Sequence, residues 1–392
     1  MPWIGFDDTD DLKGGCTTDL VDRWIRSAMD KGVLTRLLDS RLVRLWPMAP
    51  QKTRGNAAIS LHFNTCKTLE EVFIHAVGFI KTEAKKWNRN SNPGVVVSPH
   101  QFPATLYSKA VSSTVKLDAI LKEIKKMNAY FFSLGNENGL IGAVASISWP
   151  GVWDWSWEII SYRDVISSPR EAIIPLISPL DPDHIWNEAH LGHKSPAIPN
   201  TPCPILFGLR TRQYHKAIHV LLTCQEQKIG DRIRLYRTNQ GTGDHITEIL
   251  EGIVRGKIIL KGGHVKLEIN TNGDFETWMA FKPAGDVCRL ASQVEIGDKV
   301  EAIGLYSSDY SLHLEGLRVS RMTLTPSKCE CGGSFSSMGK KQGKRCKKCR
   351  KRLQLSEFHT SFSQWSKWFR PGPRERRHLS RIGNPPTLTL KR

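Results

Sequence analysis

Four carboxylates fall within five residues near the start of the chain: Asp7, Asp8, Asp10 and Asp11 surround Thr9. Gly14-Gly15-Cys16-Thr17-Thr18 follows at once. Side-chain oxygens at this density suit a hard divalent cation such as Mg²⁺, which takes one or two carboxylates and completes its shell with phosphate oxygens. The glycine pair lets backbone amides approach an anion closely. Thr17 or Thr18 can open a helix and offer a hydroxyl to a phosphate. An acidic turn with a capped helix behind it is the plain structural alternative. Pro50-Gln51-Lys52-Thr53-Arg54-Gly55-Asn56 adds two cations, a hydroxyl and an amide, a set suited to phosphate contact. It is not a Walker loop, because the G-x-x-x-x-G-K-[ST] spacing is absent.

A second cluster has different chemistry. Cys329-x-Cys331 and Cys346-x-x-Cys349, flanked by Gly332-Gly333, are separated by 14 residues. Two cysteine pairs at this distance form a zinc-ribbon signature, in which four thiolates close a structural Zn²⁺ site. Two redox-sensitive thiol pairs are the alternative. The other five of the nine cysteines (Cys16, Cys66, Cys203, Cys224, Cys288) are scattered, unlike a secreted disulfide framework. With no leader-like segment and no run of about 18 apolar residues, a cytoplasmic protein with reduced thiols is expected, and no membrane partner.

The chain carries 56 Lys plus Arg against 38 Asp plus Glu, a net +18. From Thr323 onward there are 18 basic and 3 acidic side chains, so a net +15 lies in the last 70 residues. These charges are interleaved with Phe335, Phe358, Phe362, Trp365, Trp368 and Phe369. Cations neutralise phosphates and aromatic faces stack on unpaired bases, which points to a nucleic-acid partner.

Several elements must position these groups. Trp3-Ile4-Gly5-Phe6 reads as a strand entering a core, Leu20 to Met29 as a helix, and Leu42–Leu45 and Ala57–Phe63 as strands. Asn92-Pro93-Gly94 turns into the strand Val95–Val97, and Ala110 to Met127 is expected as one helix. Ile141–Ile147 has helical character, and Trp157–Arg163 alternates as a strand carrying Glu158 and Arg163, for which an ion pair is the structural alternative. Leu180–Pro204 reads as a long loop, followed by a strand at Ile205–Arg210, a helix, and Arg234–Thr242. From Ile246 to Ser320 the pattern becomes short strands. Five are expected, at Ile249–Val254, Gly256–Leu260, His264–Ile269, Glu276–Phe281 and Lys299–Gly304. This suits a small OB-type barrel, with a β-sandwich as the alternative.

Taken in order, these segments resemble the archaeal isoleucine-tRNA 2-agmatinylcytidine synthetases. The resemblance rests on Gly5–Asp10, Gly15–Thr18, Lys52–Asn56, Asn92–Gly94, Gly139–Ala143 and Tyr162-Arg163. It continues through Asn200–Pro204, Thr238-Asn239, Gly262–Val265, Arg345–Cys349 and Arg376–Ser380, and so runs over nearly the whole chain. It implies an α/β + β multidomain protein: an ATP-using, kinase-like α/β domain over 1–132, a ferredoxin-like α+β domain over 133–245, an OB-fold barrel over 246–322, and a zinc ribbon with a basic tail over 323–392.

The resemblance also implies a reaction. Agmatine is attached to carbon 2 of the wobble cytidine of an isoleucine tRNA with a CAU anticodon, through a phosphorylated cytidine, while ATP goes to AMP. The product tRNA reads AUA. Asp7, Asp8 and Asp10 match the metal and ATP carboxylates, Thr17 the threonine that the family autophosphorylates, and Thr18 its neighbour. Lys52, Arg54 and Asn56 would contact phosphates, and Glu158 is a candidate for the agmatine guanidinium. Two positions depart from the family pattern: Asp11 replaces the usual Ser, and Cys329-x-Cys331 replaces C-x-x-C. A non-enzymatic RNA-binding protein and a metal-dependent RNA nuclease are the competing classes.

Overall fold

The apolar run Trp3–Asp7 forms β1, and its buried position follows from its composition. In the computed structural model β1 pairs antiparallel with β3 (Ala57–Asn64) on one side and β4 (Gly94–Ser98) on the other. The structure describes residues 1–10, 15–50, 52, 55–84, 91–152, 154–166, 170, 197–199, 202–321, 329, 331–338, 344–352, 367–372 and 375–381. Asp11, Arg54, most of the Leu180–Pro204 stretch, and Phe358, Phe362 and Trp365 lie outside the described residues.

Contacts divide the chain into two units. The first comprises Met1–Thr247 and Arg377–Ile382. It is built on an eight-stranded sheet with β2 at Arg36–Arg44, β5 at Tyr130–Ser133, β6 at Ser156–Tyr162, β7 at Ile205–Thr211 and β8 at Arg232–Thr238, in the order β5-β4-β1-β3-β2-β8-β6-β7. Every pairing is antiparallel except β2 with β8. The sheet is continuous across residues 132 and 133.

Strand alternation decides which helices cover which face. Ile4 and Phe6 point to a core shared with Trp24 and Ile25 of α1 (Thr17–Asp30) and with Val72, Ala76 and Ile80 of α2 (Leu69–Ala84). Trp3 points the other way, to Leu140, Ala143, Val144 and Ile147 of α5 (Gly139–Ser148). Helix α5 lies directly on β1. A β-carbon on Gly5 would overlap the Ala143 carbonyl, so only glycine permits this approach. Helix α6 (Tyr214–Glu226) packs on the strands of the second half.

The single helix expected over Ala110–Met127 is two: α3 (Ala104–Ser112) and α4 (Leu117–Lys126). The break falls at Ser113, which is extended at φ −158° and whose hydroxyl donates to the Lys109 carbonyl. Hydroxyl side chains that bond the local backbone compete with helix propagation, and β-branched Thr114 and Val115 follow.

The chain returns to this unit after building the second one. The Gly241 and Gly243 amides donate to the His378 and Leu379 carbonyls, both at 2.8 Å. Leu379 is fully buried among Val43, Leu45, Ala58 and Trp149.

The second unit contains a closed barrel of β9 (Leu250–Ile259), β10 (Val265–Thr271), β11 (Asp274–Ala280), β12 (Lys299–Tyr306) and β13 (Leu312–Arg321), in the order β10-β11-β13-β12-β9. Helix α7 (Asp286–Gln293) lies between β11 and β12 in sequence. The count of five strands holds, but two of the expected members differ. Ile249–Val254 and Gly256–Leu260 belong to one strand, β9, whose register with β10 shifts between Glu268 and Ile269; Arg255 is the bulge that reads as a gap. Strand β13 is an addition to the expected set, and its Leu312, Leu314, Leu317 and Val319 fill the barrel. A short antiparallel strand pair, β14 (Phe335–Ser337) with β15 (Lys344–Cys346), falls between the first and last cysteines of the cluster.

Leu379→Ala is expected to lower the stability of the first unit by about 2–5 kcal/mol, the cost of a buried leucine cavity. Chemical denaturation followed by the fluorescence of its buried tryptophans measures this.

Candidate catalytic site

Strand β1 ends on Asp7, and the chain then turns sharply, with Asp8 in the left-handed region at φ 51°. The Asp7 carboxylate fits against α5 only because residue 142 is glycine: a β-carbon there would overlap it. Asp8 is held from the β4 side. Its Oδ2 accepts bonds from the backbone and side-chain nitrogens of Asn92, both at 3.3 Å. Asn92 Oδ1 in turn accepts from the Asn136 amide at 3.1 Å. Ser91 Oγ donates to the Asp10 carbonyl.

Asp10 caps α1. Its Oδ1 accepts from the Thr17 amide at 2.7 Å and from Thr17 Oγ1 at 3.0 Å. The expected cap is therefore supplied by a carboxylate rather than by a threonine, and a negative group at a helix N-terminus is favourable. Thr17 opens the helix as expected. Thr18 Oγ1 lies 3.1 Å from Cys16 Sγ, and the Thr18 carbonyl accepts from Tyr236 Oη at 3.2 Å. Burial first, then Asp10, pushes the Cys16 thiol up to about 12, so it is not a thiolate near neutral pH.

Strand β8 fixes the helix that carries Thr17. Arg232 bonds Asp19 at 2.6 Å and Asp22 at 2.9 Å, and Arg234 bonds Asp22 at 2.6 Å. Burial opposes ionisation of Asp22, but Arg234 and its companions hold the carboxyl below its usual range.

Asp7, Asp8, Asp10 and Thr17 line a cavity of about 270 Å³. Lys52 and Asn56 also line it, with Leu45, Trp46, Val115 and Ile141 as apolar walls. Lys52 Nζ donates to the Pro47 carbonyl, and burial followed by Arg377 lowers its pKa. Asn56 has a structural role beside any contact in the cavity: its side chain donates to the Trp46 carbonyl at 2.9 Å. Burial, then the charges of Asp8 and Asp10, push the Asp7 carboxyl well above its ordinary value of 3.8. The three carboxylates share this wall without forming a closed three-oxygen cage; among the described residues, only the four cysteines bring three or more ligand atoms within 4.8 Å of one another. That fits Mg²⁺, which uses one or two carboxylates beside phosphate oxygens.

A second cavity of about 400 Å³ shares Asp10, Thr17 and Ala57 with the first. Thr18 and Glu158 line it, with Arg44, Arg210 and His378. Glu158 is buried and accepts from Gln240 Nε2 rather than being an isolated charge. Arg163 donates to the Cys203 carbonyl at 3.3 Å.

The cysteine cluster is assembled as its spacing implies. Cys329 Sγ and Cys349 Sγ are 3.5 Å apart, as are Cys331 Sγ and Cys346 Sγ. The Lys348 and Cys349 amides point at Cys346 Sγ, at 3.3 and 3.5 Å. Four soft sulfur ligands with amide donors to one of them fit Zn²⁺.

Sequence reasoning misses Gly142, Asn92 as the partner of Asp8, and the Arg232–Arg234 tether. The turn Asn92-Pro93-Gly94 and the small residues of Gly139–Gly142 are visible signals for the first two. Nothing local marks the third.

The chain as a whole is similar to known proteins. A family model described as the TiaS TCKD domain matches residues 3–72, and one described as the TiaS FLD domain matches residues 137–245. The isoleucine-tRNA 2-agmatinylcytidine synthetase TiaS of Methanosarcina acetivorans is 30% identical over 88% of each chain. The protein of that name from Methanocorpusculum labreanum is 28% identical over 96% of this chain and 95% of its own. The crystal structure of TiaS in complex with its isoleucine tRNA and ATP matches with a TM-score of 0.78 and 26% identity, covering 100% of this chain and 99% of the other. Apo TiaS matches at 0.76 and 26%, covering 100% and 98%.

The environment of Asp7 generates a prediction. A carboxyl with a raised folded pKa binds its proton more tightly folded than unfolded, so stability is lost as pH rises from the unfolded carboxylate range through the folded value. In chelator at about pH 8, Asp7→Asn should therefore be more stable than the parent. Mg²⁺ should stabilise the parent and leave Asp7→Asn almost unaffected. Thermal unfolding of both chains with and without Mg²⁺ checks this.

Proposed function

The chain belongs to the isoleucine-tRNA 2-agmatinylcytidine synthetase (TiaS) family, and from that premise we propose that it attaches agmatine to carbon 2 of the wobble cytidine of an isoleucine tRNA with a CAU anticodon, consuming ATP to AMP. The observation that carries this reading is the pair of cavities meeting at Asp10 and Thr17, one acidic and phosphate-suited, the other large enough for a base and an amine. The chemistry needs two such places. The oxygen on carbon 2 of cytosine is a poor leaving group until it is phosphorylated, after which an amine displaces it.

In this assignment the apolar walls of the smaller cavity take the adenine and its acidic end takes the triphosphate. Mg²⁺, when bound, supplies charge neutralisation of the phosphates and alignment for in-line transfer. Asp7, Asp8 and Asp10 are its candidate ligands; Asp10 also holds Thr17, and Asp8 also accepts from Asn92. Lys52, which lines this cavity, is assigned with Arg54 and Asn56 of the same loop to charge developing on the transferred group. Thr17 lines both cavities, which suits a hydroxyl that accepts and passes on a phosphoryl group. Glu158 offers a carboxylate to the agmatine guanidinium, and Thr18 lines the same cavity. An anticodon base is single-stranded, so extruding it costs little unstacking energy.

The four-module division is proposed alongside: kinase-like 1–132, ferredoxin-like 133–245, OB fold 246–322, and zinc ribbon with basic tail 323–392. The barrel order, its parallel β11–β13 contact and the helix between β11 and β12 support the OB assignment. The cysteine geometry supports a structural Zn²⁺ held by Cys329, Cys331, Cys346 and Cys349. No helix among the described residues is long and apolar enough to cross a membrane, and a cytoplasmic tRNA substrate is consistent with that.

Incubation with Mg²⁺, ATP, agmatine and the CAU isoleucine tRNA tests the assignment. Digestion and mass spectrometry should find one agmatine, at the wobble cytidine, with AMP formed in step. Unmodified tRNA without AMP would leave an RNA-binding protein, and cut tRNA would indicate a nuclease. Thr17→Ala should abolish modification while the chain stays folded; wild-type rates in that variant would reduce Thr17 to a helix-opening residue. Elemental analysis should find about one zinc per chain, and its removal should unfold the ribbon.

A further inference from the structure

The return segment Arg377–Arg381 does more than fill a gap in the core. With Leu379 anchored beneath it, His378 stands over the second cavity between two arginines from distant strands, Arg44 at the end of β2 and Arg210 on β7. Arg210 Nη1 lies 3.1 Å from His378 Nδ1. A guanidinium only donates, so Nδ1 accepts and the remaining proton sits on Nε2. On that side the ring faces Gly55 and Arg44: a β-carbon on Gly55 would lie 3.7 Å from His378 Nε2 and would overlap Arg44 Nη1.

Two guanidinium groups and one neutral imidazole N–H therefore line one space. Two acids also line that cavity: Asp10 accepts from Thr17, and Glu158 accepts from Gln240 and lies opposite Arg210 in the β6–β7 register. Arg44 bonds the Gly55 carbonyl at 3.2 Å, and its Nε is buried without a hydrogen-bond partner among the described residues. Arg210 is braced by Gln240 Oε1 at 3.0 Å. The Arg44 charge first, then desolvation and the Arg210 charge, push His378 well below the usual histidine range, although the residue as a whole is exposed. Two guanidinium groups lining one cavity, with an imidazole N–H donor between them, suit a bound phosphate.

We propose that Arg44, Arg210 and His378 form a second phosphate seat in the catalytic unit, distinct from the acid-lined triphosphate cavity and facing it across Thr17. This deepens the synthetase reading and rests on it. In that reaction the agmatine nitrogen bonds to carbon 2, the bond from carbon 2 to the phosphorylated oxygen breaks, orthophosphate leaves with that oxygen, and the amine sheds a proton. A seat on the base side of Thr17 is placed to hold the phosphate while it is on the base and as it leaves. A backbone phosphate of the anticodon loop offers the same chemistry, and the test separates the two sources.

The direct measurement is a titration of the full-length chain, ring-labelled at histidine, with orthophosphate and no tRNA, ATP or agmatine. His378→Asn identifies the resonance. Saturable movement of the His378 signal, with its protonation shifted upward by the bound anion, supports the seat. Arg210→Lys should weaken that binding roughly tenfold, the loss of one charge-assisted, planar donor pair. The source is read from the same variants. Unchanged tRNA affinity with slowed agmatine attachment, and orthophosphate inhibition relieved in Arg210→Lys, assigns the seat to the phosphate on the base. Weaker tRNA binding, with a salt slope reduced by about 0.7 per lost contact, assigns it to the tRNA backbone. An unmoved His378 signal, with the same orthophosphate response in the parent and in Arg210→Lys, overturns the seat. Because the titration needs no turnover, it fails separately from the synthetase assignment, which stands or falls on the modified tRNA.

Discussion

Like charges at the end of a buried strand are the constraint on which the first unit is organised. Strand β1 carries Asp7 out of a core that excludes water, and Asp8 and Asp10 follow within three residues. Burial raises the cost of ionising Asp7, and the charges of Asp8 and Asp10 add to it. Each carboxylate is met by a different device. Gly142 clears space for Asp7, Asn92 supplies donors to Asp8, and Asp10 is held by the N-terminus of α1. What remains is a negatively charged wall at the end of β1 that a bound cation would neutralise.

The placement of Thr17 depends on the same balance of charge at longer range. Helix α1 carries Asp19 and Asp22 on its buried side, and arginines more than 200 residues later in the chain hold them. Buried ion pairs contribute little net stability, because desolvation offsets their attraction. Their value here is geometric: they set the rotation and depth of the helix, and hence where its first hydroxyl points. The closing stretch of the chain behaves in the same way. Leu379 provides the burial that holds the segment, and His378 is presented where β2 and β7 bring Arg44 and Arg210 together.

Chemistry confined to short segments is legible in the sequence. Asp7, Asp8 and Asp10 at the end of β1, the threonine that opens α1, the four-cysteine cluster and the shift to short strands after residue 246 all stand in the structure where their spacing puts them. Elements whose signal is composite are not legible. Strand β9 reads as two because a bulge at Arg255 interrupts its alternation, and the pattern predicts one helix where Ser113 divides α3 from α4. Strand β13 alternates leucine with polar residues but carries no turn signal strong enough to single it out. Partners brought in by the fold, such as Arg232 with Asp19 or His378 with Arg210, leave no local trace, since nothing in either segment specifies the other. Much of the lining of the second cavity is invisible for that reason, apart from Asp10, Thr17, Thr18 and Glu158.

The central claim is that the acid loop after β1 holds a metal–nucleotide complex against Thr17. Anomalous diffraction from crystals of the chain grown with Mn²⁺ and a non-hydrolysable ATP analogue tests it most directly. The account predicts a manganese peak roughly 2.0–2.2 Å from oxygens of Asp7 or Asp8, with the phosphates between it and Thr17 and the adenine toward Trp46 and Ile141. Nucleotide density in another part of the molecule, with no metal at these carboxylates, would contradict it.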